Sequence, residues 1–429
     1  VTPPSPSWYA SRQPAPAVRP CCSGRLVADV GILGGGLTGL SSALYLAEQG
    51  VSVALLEADR IGSGASGRNG GQALQGFAGS MTVVEQAVGP AIARQLWDMS
   101  LEALALLKQH IARFNIACDL SPGGYVYAAL HEGQLAELAQ WQQQARQRYG
   151  YVDLQLLDCN ALQAHVGSSR YVGGLYDPNE THLDPWAYTL GLADAAEAAG
   201  AKLYEHSPAS GWQRDGDGYC IATPAGQLHC RQLFLATNAT ALTPQLARHF
   251  LPVESFIVAT EPLDAGLVRS ILPSNAAVAD CNRVLNYFRL SPDHRLLFGG
   301  RAAGTATDRL ADTQARMLQV FPQLADARIE HAWGGRVDVT PHKLPHLGRL
   351  PDGALFAQGF SGHGLALSGL VGKVMAEAML GRPERLALFE RIPQHALPTH
   401  LPGFTQAALT LGMAWYQWRD WLDARWHGD

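Results

Sequence analysis

The chain has 429 residues, 47% of them hydrophobic and 16% charged, with a formal net charge of -5. That length is too great for one hydrophobic core and predicts two domains. The acidic balance, with neither a basic stripe nor an aromatic-basic run, excludes a nucleic-acid partner, and no apolar run approaches the ~20 residues that span a bilayer.

The opening "VTPPSPSWYASRQPAPAVRP" lacks the basic start and apolar stretch of a secretory leader. Its proline density predicts an extended arm over residues 1–25. Val27 to Leu33 then form an apolar run with the single charge Asp29, which reads as a buried strand. Leu40, Ala43, Leu44 and Ala47 follow at helical spacing. Between strand and helix, Gly34, Gly36 and Gly39 match G-x-G-x-x-G, in which one glycine bends the chain, one admits a pyrophosphate and one lets helix and strand pack. The phosphates would meet the free N–H groups of the helix N-terminus. A second apolar strand, "VSVALLE", ends in Glu57, about twenty residues beyond the fingerprint, where a nucleotide-binding unit places the acid that accepts from a ribose hydroxyl. An ordinary βαβ turn would explain the glycines alone, without the acid.

"GRNGGQALQGFAGS" is a loop, and Pro90 to Phe114 a helix whose face carries Ile92, Leu96, Met99, Ala103 and Leu106. "PGGYVYAAL" reads as turn and strand, Leu135 to Tyr149 as a polar surface helix, and Trp186 to Ala199 as another helix. "AKLYEH", a hairpin at "DGDG" and "LFLAT" predict a return to the first sheet. From Val253 to Gly300 the pattern is β-rich, after which "LFAQGFSGHGLALSGLVGKVMAEAML" repeats strand, glycine turn and helix. The fold class is therefore α/β: a discontinuous Rossmann-like domain (26–85, 165–245 and 335–400) with an inserted β-rich α+β substrate domain (86–164 and 246–334). In the tail, 401–429, Phe404, Ala408, Leu411, Trp415, Trp418 and Leu422 share a helical face that needs covering. The protein's own surface or a second subunit in a homo-oligomer would cover it; the alternative is a membrane interface, which Asp420 and Asp423 oppose by offsetting Arg419 and Arg425.

Other chemistries fit poorly. "GFSGHG" starts like a nucleophile elbow, but His363 stands where G-x-S-x-G needs glycine. His342 and His346 in "HKLPH" are four apart, yet Pro345 breaks the helix that would join them on a metal, so no metal site is expected. The seven cysteines, Cys21, Cys22, Cys118, Cys159, Cys220, Cys230 and Cys281, are scattered and odd in number, which points to a reducing, cytoplasmic compartment.

"DVGILGGGLTGLSSALYLAEQGVSVALLEADRIGSGASGRNGGQ" resembles the opening of the flavin-dependent amine and amino-acid oxidases related to D-amino acid oxidase, glycine oxidase and sarcosine oxidase, most of all gamma-glutamylputrescine oxidase-like proteins. Further stretches, "HLDPWAYTLGLADAAEAAG", "YFRLSPDHRLLFGG", "PHLGRL" and "QGFSGHGLALSGLVGKVMAE", extend the resemblance over most of the chain. It implies FAD as cofactor, hydride transfer from an amine or amino acid to give an imine, and reoxidation by oxygen to give hydrogen peroxide. A membrane-associated flavin dehydrogenase that feeds a quinone, or a non-catalytic FAD-binding protein, are the alternatives.

Carried across residue by residue, the resemblance puts Gly34, Gly36 and Gly39 at the FAD pyrophosphate, Glu57 at the adenosine ribose and Arg60 near the adenosine end. Ser66, Gly67, Arg68, Asn69, Gly70 and Gly71 would approach the isoalloxazine. Gly359, Gly362, His363, Gly364 and Leu365 would cover its pyrimidine edge. Gly335 stands where relatives tether FAD through cysteine, which implies noncovalent FAD. Arg336 is the carboxylate-binding candidate, although the alignment with glycine oxidase puts that family's arginine at Val337; an interdomain salt bridge is the competing role. Catalytic roles fall to His363 and Arg336, and His363 could equally support its turn. Arg68, Tyr287 and Arg289 are further substrate contacts, the last two sharing a strand face, where plain sheet packing is the alternative. The substrate classes left open are gamma-glutamylputrescine, another glutamylated polyamine, or a cyclic amino acid such as L-pipecolate.

Overall fold

The computed structural model describes residues 7–12, 16–301, 306–399, 401 and 403–426. Two eight-stranded sheets organise it. Across the first run His346–Arg349, Leu355–Gln358, Gly226–Leu235, Gly24–Leu33, Val53–Leu56 and Lys202–Tyr204, with Gly211–Asp215 and Gly218–Ala222 added as the hairpin. Its central strands pair in parallel. Val53 to Leu56 are buried at every position, as expected where helices cover both faces. The expected return of 202–204, the hairpin and 226–235 to this sheet is what the strand pairing contains.

Helix Leu37–Glu48 lies on that sheet and buries Leu37, Leu40, Ala43, Leu44 and Ala47. Helix Gly364–Met379 crosses it closely. A Cβ on Gly372 would stand 2.3 Å from the Thr38 carbonyl, and Ser41 Oγ donates to Gly369 O at 2.6 Å. Small residues at the crossing thus bring the start of the late helix beside the glycine turn.

The second sheet runs Ile329–Val339, Leu251–Thr260, Leu296–Arg301, Asn286–Leu290, Ala277–Asp280, Tyr125–Ala129, Gly173–Asp177 and Gln155–Asp158. One registered row, Tyr127, Ala279, Tyr287, Gly299, Ile257 and Trp333, crosses six of these strands. Directly paired residues share a face, so this row defines the side of the sheet turned towards the first domain. The opposite side packs Phe256, Val258, Phe288 and Phe298 against Met317 and Phe321 from the helix Ala306–Val320 and its end.

Three boundaries depart from the expected ones. Helix Pro90–Arg113 buries Leu96, Trp97 and Ala103 in the core of the first domain, because its apolar stripe faces helix Gly364–Met379. Gly173–Asp177 belongs to the second sheet, between Tyr125–Ala129 and Gln155–Asp158. The strand from Ile329 runs on to Val339, past the break placed at 335. The proline-rich arm is also not simply extended: Trp8–Ser11 form a helical turn with Trp8 and Tyr9 buried against Trp333 and Ile257, and the first strand starts at Gly24. Helix Phe404–Trp426 docks through Asp420 and Asp423 on Arg283 and through the Tyr416 ring, which lies 5.8 Å from the Arg301 guanidinium. Leu411, Trp415 and Trp418 remain exposed. Among the described residues no single helix is long and apolar enough to cross a membrane.

Candidate active site

A cavity of about 1980 Å³ runs from the glycine turn of the first domain to the facing side of the second sheet. That exceeds the ~300–1,000 Å³ of a site for one small molecule and leaves room for a dinucleotide and a substrate together.

At one end Gly34, at φ +111°, adopts a conformation that favours glycine, and a Cβ there would sit 2.4 Å from the Ala236 carbonyl. Helix Leu37–Glu48 starts at Gly36 with no side-chain cap, so helix geometry leaves first-turn N–H groups without intrahelical partners. Ser66 Oγ accepts from Leu37 N at 3.0 Å, which fastens the 65–71 loop to this turn. Glu57 accepts from Gly35 N at 2.7 Å and Asp59 N at 2.9 Å. Burial raises its pKa, and the backbone donors hold it down. Each oxygen keeps a lone pair for a hydroxyl donor.

The 65–71 loop is held from several sides. Asn69 Nδ2 donates to Ala65 O and Ser66 O, and its Oδ1 accepts from Gly71 N at 2.8 Å. Tyr9 from the N-terminal turn donates to Asn69 O at 3.0 Å. Arg68 Nε donates to Gly334 O at 2.8 Å, and Trp333 Nε1 donates to Arg68 O at 3.0 Å. The loop is thereby tied to the second sheet.

Of the expected residues, Gly34, Gly36, Glu57, Ser66, Arg68, Asn69 and Gly70 line the cavity. So do Tyr287, Arg336, Gly362, His363, Gly364 and Leu365. Others turn elsewhere. Gly39 packs helix on strand, since a Cβ there would meet Gly34 O at 2.1 Å. Gly67 abuts Gly62 and Trp186, Gly71 abuts Leu183 and Arg289, and Gly359 abuts Thr340 and His346. Arg60 is drawn away by Pro16 O, at 2.6 Å, and by the buried Glu205 carboxylate, so it ties down the N-terminal arm instead of the adenosine end.

Arg289 is likewise a correction. Its guanidinium is buried, donating to Gly70 O, Leu290 O, Leu183 O and the Tyr9 hydroxyl. It holds the loop and does not line the cavity. Arg336 also departs from expectation. Gly335 lies on the strand face towards Arg68, and alternation puts Val337 with it and Arg336 on the other face, paired in register with Glu254. Its guanidinium is exposed and, among the described residues, within ion-pair distance of no carboxylate, so the interdomain salt bridge is absent too.

His363, half-buried at the start of the late helix, does not cap it; its Nε2 meets Gln75 O at 2.8 Å. Burial lowers its pKa, so the neutral ring donates Nε2–H to that carbonyl. A histidine depressed in the folded state contributes stability that is complete above its ordinary pKa of about 6.5 and is lost as the pH falls below it. His363→Gln should therefore lose fewer degrees of melting temperature than wild type between about pH 7.5 and pH 5.5. Parallel melting curves would mean that His363 protonates freely in the fold.

Several cavity residues were missed. Tyr125, Tyr127 and Trp141 meet edge to face, at 4.7 Å for each successive pair. The alternation in "YVY" was a usable signal for the tyrosines. Tyr127 donates to the buried Glu180 carboxyl, whose pKa burial and Asp177 push well up. Tyr287 bonds Ser255 Oγ at 2.7 Å. Asp338 accepts from Gly359 N, and burial moves its carboxyl up to about 7 against that and other backbone donors. Arg301 and Lys343 complete the charged wall.

The sequence pattern of the family described as "FAD dependent oxidoreductase" (DAO) matches residues 29–378. The chain belongs to the DAO family of FAD-dependent oxidoreductases. Within this family it is 39% identical to "Probable oxidoreductase OrdL" of Haemophilus influenzae over 92% of each chain. It is 37% identical to "Gamma-glutamylputrescine oxidoreductase" of Escherichia coli over 97% of this chain and 98% of the other. Its fold is that of glycine oxidase from Geobacillus kaustophilus, with a TM-score of 0.71 and 23% identity over 86% of this chain and 99% of that one. The DAO oxidoreductase is thus an FAD enzyme acting on amines or amino acids. Its own residues fit the cofactor: Gly34 and Gly36 on the cavity wall, a helix start that carries no side-chain cap of its own and the Glu57 carboxylate form a dinucleotide cradle.

Proposed function

We propose that this enzyme oxidises the C–N bond of an amine of the gamma-glutamylputrescine kind and passes the electrons to oxygen as hydrogen peroxide. The observation that carries this reading is that the glycine cradle and the aromatic side of the second sheet open into one continuous cavity. Held by Gly34, Gly36 and Glu57, FAD would supply the hydride acceptor for the carbon next to nitrogen and the route by which both electrons reach oxygen. The chain's residues orient and enclose. Tyr125, Tyr127, Trp141 and Tyr287 form an apolar wall for an alkyl chain, and ring faces there favour an approaching ammonium group. Glu180 behind Tyr127 keeps that phenol fixed in position. Asn69, Arg289 and Tyr9 hold the loop beside the reacting atoms, so little reorganisation is needed when substrate arrives. The long chamber favours an extended acylated amine over a compact ring such as L-pipecolate. The "gamma-glutamylputrescine" of the Escherichia coli relative's name supports the same choice. Free, scattered thiols suit a cytoplasmic setting.

The test is anaerobic addition of gamma-glutamylputrescine, L-pipecolate and simple diamines to the yellow holoenzyme, followed by air. Bleaching by the glutamylated amine, then stoichiometric peroxide, is expected. Failure of every amine and amino acid to bleach the flavin would leave a non-catalytic FAD protein. Bleaching with no peroxide, but turnover with a quinone, would make it a dehydrogenase.

A further inference from the structure

Several cations around the second sheet are provided with carboxylates. Arg283 has Asp420 and Asp423, Arg309 has Glu254, Arg295 has Asp293 and Glu330, and Arg316 has Asp312. Besides Arg336, which lies on the opposite strand face, two cations on the cavity wall have no such partner. Arg301, at the end of strand Leu296–Arg301, and Lys343, in the turn after strand Ile329–Val339, both line the cavity. Among the described residues neither lies within ion-pair distance of a carboxylate, and the Lys343 ammonium has no hydrogen-bond acceptor. The neighbouring Arg283 cannot relieve them, because it is itself a cation already satisfied by the tail helix.

Position supports a ligand role. Arg301 pairs in register with Ser255, which pairs with Gly335. All three therefore share the sheet face that carries Tyr287 and Trp333 and that meets Arg68. This is the face on which Arg336 does not lie. The Arg301 guanidinium lies 5.8 Å from the Tyr416 ring, a contact that consumes none of its N–H donors. Lys343 has φ +59°, an uncommon conformation for a side chain of its size. It is held there by Lys343 N donating to Thr340 O at 3.0 Å and by Gly79 N donating to Lys343 O at 3.1 Å. Burial lowers the Lys343 pKa, and Arg301 and Arg283 add like-charge repulsion; an incoming anion would remove that penalty. A guanidinium fork and a point charge on one cavity wall make a set suited to a planar carboxylate.

We propose that Arg301 and Lys343 form an anion subsite of the cavity that receives a carboxylate carried by the amine substrate. This rests on the amine-oxidising reading above and narrows its substrates to acylated amines that carry a carboxylate.

Holoenzymes of wild type, Lys343→Gln, Arg301→Gln and Lys343→Arg are compared on two N-acylputrescines that share the reacting amine. N-glutarylputrescine ends in a carboxylate and N-acetylputrescine does not. Glutarate alone is titrated in parallel by calorimetry, which needs no turnover. Both glutamine variants should raise KM for N-glutarylputrescine about tenfold with kcat within about twofold, leave N-acetylputrescine unchanged, and weaken glutarate by a similar factor. Lys343→Arg should keep most of the wild-type preference. Equal shifts for the two acylputrescines, or glutarate binding that is the same in wild type and variants, would overturn the subsite. If neither amine bleaches wild-type flavin while glutarate still separates wild type from the glutamine variants, the subsite stands and the amine reading fails.

Discussion

Gly36→Val protein should purify colourless, with a flavin-to-protein ratio below about one tenth, while its far-ultraviolet circular dichroism stays that of the folded chain. Even a single Cβ at this position would stand 2.7 Å from Ser66 Oγ. Ser66 cannot give way cheaply, because it accepts from Leu37 N and belongs to a loop pinned by Asn69. Valine's two further methyls would fill the space beside the helix start, where a pyrophosphate must approach backbone N–H groups. The variant should also lose the stabilisation by which bound FAD raises the melting temperature, which at a hundredfold excess over Kd is about 2.7 kcal/mol. Adding FAD should shift the wild-type apoprotein and leave the variant unmoved. A yellow Gly36→Val protein with one FAD per chain would sink the cradle assignment.

The second large effect is expected from Arg289→Leu, as loss of stability. Four acceptors, the carbonyls of Gly70, Leu183 and Leu290 and the Tyr9 hydroxyl, would lose a charged donor in a buried setting. Each buried group left unsatisfied costs about 1–3 kcal/mol. The costs are not additive, because the carbonyls can relax together, so a fall of about 3–5 kcal/mol in unfolding free energy is expected by denaturant titration. Arg289→Lys keeps the charge but reaches fewer acceptors, and should recover part of it. Since Gly70 belongs to the loop beside the cavity, surviving Arg289→Leu holoenzyme should show a lower kcat for every substrate alike. An unaltered denaturation midpoint with a KM rise confined to carboxylate-bearing substrates would return Arg289 to the substrate-contacting role its sequence position suggested.

Much of the first domain was legible because its signals are local. Strand, glycine turn, helix, strand and acid follow one another within 27–57, and each depends on neighbours a few residues away: φ at Gly34, the helical stripe of Leu40 and Leu44, the run "VSVALLE". The repeated strand-turn-helix near 355–379 was readable for the same reason. The family followed from the same stretches.

What depended on register or on distant partners was not legible. Alternation in "NYFRL" correctly put Tyr287 and Arg289 on one face, but only the pairing of that strand with its neighbours shows that Tyr287 reaches the cavity while Arg289 is consumed by carbonyls from 70 and 183. In "WGGRV" a displacement of one residue separates Gly335, facing Arg68, from Arg336, facing away, because side chains reverse at every step along a strand. Arg60 was claimed by Glu205 and Pro16 from segments far apart in sequence, and the proline-rich arm gained its helical turn from a pocket made by Trp333 and Ile257. Arg301 and Lys343 are separated by an entire helix and strand, and nothing in their local patterns joins them. The sequence by itself determined the cofactor fold and its phosphate turn, since these rest on short-range spacing and backbone sterics. The tertiary structure alone decided which charges stay unpaired at the cavity wall, since that depends on how distant segments supply, or fail to supply, a counter-charge.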